Sequence, residues 1–272
     1  MGLVGEKRPQ VVAHRGASAD EAEHTLGAYM RALDVGADAL ECDVRLTADG
    51  HLVCVHDRTI RRTTGQAGLV STMELADLAQ LDFASWKNPW NELDDEAPMR
   101  DERLDQVLTL ETLLETVRDY SASTGRRVEL AIETKHPTRY GGLVEKRLVE
   151  KLREFDWDGA DSPVRVMSFS FTALQRVERL APDLRLVQLI EHGRNWSLLR
   201  TAIGRDWIVA PGIKEIKKHP KLGRKIVDSG RELHVWTVNG EANLQRCLDL
   251  GATAVISDKP AQIFQWLAER GL

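Results

Sequence analysis

Residues 10–45 read QVVAHRGASADEAEHTLGAYMRALDVGADALECDVR, and this stretch decides the fold. A short apolar run from Gln10 ends in His14-Arg15-Gly16, an amphipathic stretch covers Thr25 to Val35, and a second apolar run covers Ala39 to Arg45. Strand, helix and strand in that order mark parallel strands joined by a crossover helix. The unit recurs along the chain. Further apolar runs at Val128 to Glu133, Val164 to Phe169, Leu184 to Ile190, Trp207 to Ala210, Leu233 to Val238 and Ala254 to Ile256 bring the predicted strands to eight. Helical patterns at Leu110 to Tyr120, Leu143 to Phe155, Phe171 to Leu180, Trp196 to Ile203, Lys221 to Ser229, Ala242 to Leu250 and Pro260 to Glu269 fill the gaps. Eight such units in 272 residues predict an α/β fold, a (β/α)8 TIM barrel, with an open doubly wound sheet as the alternative.

The rhythm breaks between Asp57 and Asp105, where Thr, Gly, Trp, Asn, Pro and acidic residues crowd together. This reads as an insertion after the second strand. Just before it, His51 to His56 (HLVCVH) has β character, and Ala48-Asp49-Gly50 supplies a turn, so a strand extension or a hairpin is expected there. With no linker-like stretch elsewhere, residues 1–272 are expected to form one barrel domain carrying 57–105 as an inserted subdomain.

Hydrophobic residues make up 42% of the chain, enough for a large core. A net charge of −5 gives no general pull on nucleic acid or anionic lipid, so an anionic ligand must be met by a local cluster. Cys42, Cys54 and Cys247 are an odd number without zinc spacing, which points away from a disulfide framework and toward a reducing cytoplasm. No apolar run reaches the length of a membrane span and the first ten residues lack a secretory pattern, so a cytoplasmic protein without stable membrane insertion is expected.

In a β/α barrel the reactive side chains stand where strands end. The first strand ends in His14, a titratable base, beside Arg15, a planar cation, and Gly16. In the second, the two-residue period sets Glu41 and Asp43 on one face and Cys42 on the other. If Cys42 faces the helices, both carboxylates face the mouth, where they need a cation between them or an arginine partner such as Arg15 or Arg45. His56 closes the following β run, in phase with Cys54 and Leu52. The next strand ends in Glu133-Thr134-Lys135: Glu133 completes an all-oxygen set suited to Mg²⁺ or Ca²⁺, and Lys135 either faces a phosphate or pairs with Glu133. Trp236 offers a flat wall for a carbon skeleton such as glycerol, or packs in the core; Ser168, Asn239 and Asp258 also lie near strand ends.

Together, His14-Arg15-Gly16, Glu23-His24-Thr25, Glu41-Cys42-Asp43, His56-Asp57 and Glu133-Thr134-Lys135 resemble, in order and spacing, the motifs of the glycerophosphodiester phosphodiesterase family of soluble bacterial type. Arg62-Thr63-Thr64-Gly65, Met167-Ser168-Phe169, Val235 to Asn239 and Ser257-Asp258-Lys259-Pro260 extend the resemblance over nearly the whole chain. The departures are His24, where the family often has Asn, and the Asp-Glu-Ala of the loop before it, where a Pro is common.

The resemblance implies a barrel with a small subdomain after the second strand. It also implies metal-dependent hydrolysis of glycerophosphodiesters, such as glycerophosphocholine or glycerophosphoethanolamine, to sn-glycerol 3-phosphate and an alcohol. On this reading His14 and His56 are catalytic, Arg15, Lys135 and Trp236 bind substrate, and Glu41, Asp43 and Glu133 hold one divalent cation, Mg²⁺ or Ca²⁺, with Mn²⁺ as a further choice. A lysophospholipase D-like activity on the same barrel is the alternative. It calls for an apolar exposed loop or a basic membrane-facing patch, whereas the insertion carries Glu92, Asp94, Asp95 and Glu96. A barrel that only binds phosphate esters would be expected to lack a ligand or a histidine, and none is missing.

Overall fold

The computed structural model describes residues 8–87, 102–193 and 196–272. The strands are β1 (Gln10–His14), β2 (Ala39–Leu46), β3 (Leu52–Cys54), β4 (Glu129–Thr134), β5 (Val164–Ser168), β6 (Arg185–Ile190), β7 (Ile208–Pro211), β8 (His234–Val235) and β9 (Ala254–Ser257). They form one sheet in the order β7-β6-β5-β4-β2-β1-β9-β8, with β3 attached to β2 alone. Every pairing along that order is parallel. Parallel bridges from Val209 to Leu233 and from Gly212 to Trp236 bring its two ends together. The eight parallel strands therefore form a nearly closed (β/α)8 barrel, and the open-sheet alternative falls.

Side-chain alternation builds two apolar layers. In β2, Leu40, Cys42, Val44 and Leu46 pack outward under the helices. Ala39 instead joins Val12, Ala131, Met167, Val187, Ile208 and Ala254 in the barrel interior. Glu41 and Asp43 continue the inward series toward the mouth, the arrangement expected from the outward phase of Cys42. The interior is thus packed below and polar at the carboxyl ends of the strands.

Of the strand extension and the hairpin, the hairpin is the one formed: β3 pairs antiparallel with β2, Val44 opposite Cys54 and Leu46 opposite Leu52. It ends at Cys54, so the strand phase does not carry on to His56, which swings into the mouth instead of joining Cys54 in the outer layer. Beyond it, Val53, Val55, Ile60, Val70, Leu78 and Phe83 form a separate small core. Residues 88–101 of the expected insertion, including Glu92, Asp94, Asp95 and Glu96, lie outside the described residues.

Two expectations need correction in extent. After β7 the chain forms two short helices, Ile213–Lys218 and Leu222–Val227, where only Lys221 to Ser229 was expected. Pro220 lacks a backbone N–H and drives His219 out of helical geometry, to φ −126 and ψ 76, which separates them. The β8 ladder covers two residues, although the chain runs on beside its neighbours through Trp236 N to Pro211 O (3.3 Å) and Val238 N to Ile256 O (2.8 Å).

The turn after β1 locks the first helix, Leu26–Asp34, against the barrel. Ala17 N donates to Ala28 O at 2.9 Å, and Gly16 has φ +85 with the Ala28 backbone where a Cβ would stand, at 2.6–2.7 Å. Gly16→Ala therefore meets both an unfavourable backbone region and a clash, and is expected to lower unfolding stability by about 2 kcal/mol or more in urea denaturation. An unchanged midpoint would show that the helix can move away freely.

Candidate active site

One cavity of about 270 Å³ at the mouth is lined by His14, Arg15, Glu41, His56, Glu133, Lys135 and Trp236, among others, and Asp43, outside that lining, contacts its Arg15 and Lys135. Glu41, Asp43 and Glu133 each offer a carboxylate oxygen within 4.8 Å of the others. Their exposures are 2%, 1% and 6%, so water does little to screen them from one another.

Two cations answer part of that charge. Lys135 Nζ lies 3.0 Å from Asp43 Oδ1 and 2.8 Å from Glu133 Oε1. Arg15 Nε lies 3.1 Å from Asp43 Oδ2, without the alignment of a hydrogen bond, and Arg15 Nη1 donates to Glu23 Oε1 at 3.0 Å. The arginine partner considered for the carboxylates is thus present beside them. Arg15 itself adopts φ 57, and its backbone N–H donates to Glu41 Oε2 at 3.0 Å. That left-handed conformation, uncommon for a residue with a long side chain, turns the guanidinium to the carboxylates.

Titration follows the imbalance. Burial, and then the neighbouring Asp43 charge, raise Glu41 well above the usual carboxylate range and Glu133 to about 8. Burial alone would raise Asp43 as well, but Lys135, a hydrogen bond with His24 and the Arg15 charge outweigh it and hold Asp43 well below that range. Three acidic side chains against two basic ones leave the cluster short of positive charge. An oxygen-only donor set of this kind fits a hard divalent cation, whose charge would release the protons now favoured on Glu41 and Glu133.

Each mouth histidine is oriented by a carboxylate. His14 Nδ1 is 2.5 Å from Asp258 Oδ1, and Asp258 is fixed in turn by Asn239 Nδ2 (2.5 Å) and Ser18 Oγ (3.2 Å). His56 Nδ1 is 2.7 Å from Asp57 Oδ1, Arg62 Nε donates to Asp57 Oδ2 at 2.7 Å, and Arg62 also reaches Glu23. A ring nitrogen facing a carboxylate carries the proton, so Nε2 of each ring is left for chemistry. Burial, the largest effect, with Lys135 and Arg15 adding to it, lowers His56 to about 4, which keeps the imidazole neutral at pH 7.

Trp236 donates Nε1–H to Ala210 O at 2.8 Å and meets Phe169 edge-on, with ring centroids 5.5 Å apart. It both packs on the barrel interior and lines the cavity. In the closed strand order, β6 and β8 stand across the mouth from β1 and β4. Leu189 and Glu191 at the end of β6 and Trp236 at the end of β8 therefore wall the side across from β1 and β4, and Phe169, at the end of β5, adjoins Trp236.

Several contributors carry no assigned role in the sequence. His24 is buried with Nε2 2.9 Å from Asp43 Oδ2 and Nδ1 2.8 Å from the Tyr29 hydroxyl, so it positions Asp43. Asp258, Asn239, Glu23 and Glu191 join through loops distant in the chain. Their proximity to strand ends or motifs was the signal; their partners could be named only after folding.

Comparison with known proteins agrees with this geometry. The model of the "Glycerophosphoryl diester phosphodiesterase family" matches residues 14–262. A Mycobacterium tuberculosis (strain ATCC 25618 / H37Rv) protein named "Probable glycerophosphodiester phosphodiesterase 1" is 41% identical over 266 residues, 96% of this chain and 93% of that one. A Bacillus subtilis (strain 168) glycerophosphodiester phosphodiesterase is 35% identical over 263 residues, 95% of this chain and 86% of its own. Among solved structures, an Oleispira antarctica phosphodiesterase in complex with the product sn-glycerol-3-phosphate superposes with a TM-score of 0.76 at 25% identity, covering 96% of this chain and 97% of that one. With the family match spanning the barrel from the His14 motif to the last helix, this chain belongs to the glycerophosphoryl diester phosphodiesterase family and is a phosphodiester hydrolase.

Proposed function

We propose that the enzyme hydrolyses water-soluble glycerophosphodiesters, such as glycerophosphocholine or glycerophosphoethanolamine, to sn-glycerol 3-phosphate and an alcohol. His14 and His56 transfer the protons, and Glu41, Asp43 and Glu133 hold one divalent cation, Mg²⁺ or Ca²⁺, with Mn²⁺ as a substitute. The observation that carries this reading is a cluster of three buried carboxylates within 4.8 Å of one another, two of which, Glu41 and Glu133, line the same small cavity as two carboxylate-oriented imidazoles. The product complex of the Oleispira antarctica relative supports the glycerol 3-phosphate half of the assignment. In the same proposal the enzyme is a single barrel domain with 57–105 as its inserted subdomain, and it works in the cytoplasm. Three buried, unpaired cysteines support that location, and among the described residues no helix is long and apolar enough to cross a membrane.

A phosphate diester repels nucleophiles through its nonbridging oxygens. A cation bound by the carboxylates supplies Lewis-acid polarisation of such an oxygen. Arg15 and Lys135, both lining the cavity, add fixed positive charge around the phosphate. His56, neutral at pH 7, accepts the proton of the attacking hydroxyl at Nε2. His14, in its doubly protonated form with Nδ1–H held by Asp258, delivers the proton on Nε2 to the departing alkoxide and is left neutral. Trp236 and Leu189 present the apolar surface on which a carbon skeleton lies.

Two outcomes follow. His14→Ala and His56→Ala should keep a wild-type circular dichroism spectrum and lose turnover by about 10² or more in a coupled glycerol 3-phosphate assay. Release near the wild-type rate by either variant would remove that histidine from the chemistry. Chelator should abolish activity, with recovery on adding Mg²⁺, Ca²⁺ or Mn²⁺.

Because burial raises Glu133 to about 8, its proton must leave when a cation binds. Metal affinity should therefore climb with pH through about 8, and Glu41, also raised by burial, adds to the climb. Calorimetry in buffers of different ionisation enthalpy should detect the released protons, and pH-independent binding without release would contradict the assigned ligands.

A further inference from the structure

After β7, residues 213–226 read IKEIKKHPKLGRKI: six Lys or Arg against one carboxylate, Glu215, in a chain whose overall charge is −5. The two short helices of this segment sort their side chains sharply. Ile213, Ile216, Leu222 and Ile226 are buried, while Lys214, Lys217, Lys218, Lys221, Arg224 and Lys225 are all exposed. Among the described residues none of the six makes an ion pair. Glu215 is engaged elsewhere, accepting from the Gly193 amide at 2.7 Å and lying 3.7 Å from His219.

Between these helices and the helix Trp196–Ala202 lies a cleft of about 480 Å³. Trp196 and Leu222 form its apolar floor, and Lys218, His219, Lys221 and Lys225 stand around it. It adjoins the loops leaving β6 and β7 at the end of the barrel that carries the active site, and it shares no lining residue with the catalytic cavity.

We propose that this face docks the enzyme peripherally on an anionic phospholipid bilayer, with headgroup phosphates on the lysines and apolar lipid atoms in the cleft. Clustered Lys and Arg against a negative leaflet attract within a Debye length, and the attraction adds up over the cluster. The apolar floor is what favours lipid over nucleic acid. A polyanion groove that holds bases uses exposed aromatic faces for stacking, whereas Trp196 is 5% exposed and sits at the bottom of the cleft. Docking here leaves the catalytic residues untouched and keeps the mouth near the surface from which phospholipid-derived diesters are released.

The test is co-sedimentation of the full chain with vesicles of phosphatidylcholine alone and of phosphatidylcholine with about a third phosphatidylglycerol, beside a duplex DNA arm. Binding to the anionic vesicles should exceed that to neutral ones by about tenfold at low salt and disappear at high salt. The triple variant K218E/K221E/K225E should lose it while keeping its circular dichroism spectrum and its turnover of a soluble diester. Should charge reversal unfold the chain, the milder K218Q/K221Q/K225Q must show at least a several-fold loss. Equal binding to both vesicle types, retention by the variants, or duplex DNA binding as tight as vesicle binding would each overturn the proposal.

Discussion

Three carboxylates buried within 4.8 Å of one another are the constraint on which the rest of the mouth depends. Unit charges about 4 Å apart repel by roughly 4 kcal/mol even at the effective dielectric of a protein near its surface. The fold sets Glu41 and Asp43 there by strand alternation and Glu133 directly beside Asp43 in the β2–β4 register. Positive charge must then be gathered around them. Lys135 and Arg15 supply some of it, and the raised proton affinities of Glu41 and Glu133 register what is still lacking.

Around this centre lies a ring of residues that orient rather than react. Asp258 and Asp57 each take the Nδ1 side of a histidine, so that both rings offer the same nitrogen to the cavity. Glu23 ties Arg15 to Arg62, and Arg62 ties back to Asp57, so the cation of the first loop and the histidine that follows the third strand belong to one hydrogen-bonded network. The wall across from β1 and β4, with Leu189 and Trp236, is mostly apolar. A phosphate diester has a charged centre and two organic arms, and the mouth is divided in the same way.

Much of this was legible in the residues alone. Repeated apolar runs revealed the barrel, and the two-residue strand period set Glu41 and Asp43 together on the face opposite Cys42. What stayed hidden depends on long-range closure. Asp258 meets His14 only once β9 has paired with β1, and His24 reaches Asp43 only across the turn that Gly16 permits. The phase of His56 also could not be read, because β3 ends before it and alternation stops with the strand. The basic helices after β7 were hidden for a different reason: a net charge of −5 averages away a local positive excess.

The central claim, one cation among Glu41, Asp43 and Glu133, is tested most directly by anomalous scattering from crystals of the enzyme grown with Mn²⁺. The account predicts a single strong peak within bonding distance of all three carboxylates and beside Lys135. A peak elsewhere, or none at the cluster when the protein in solution binds the ion, would contradict it.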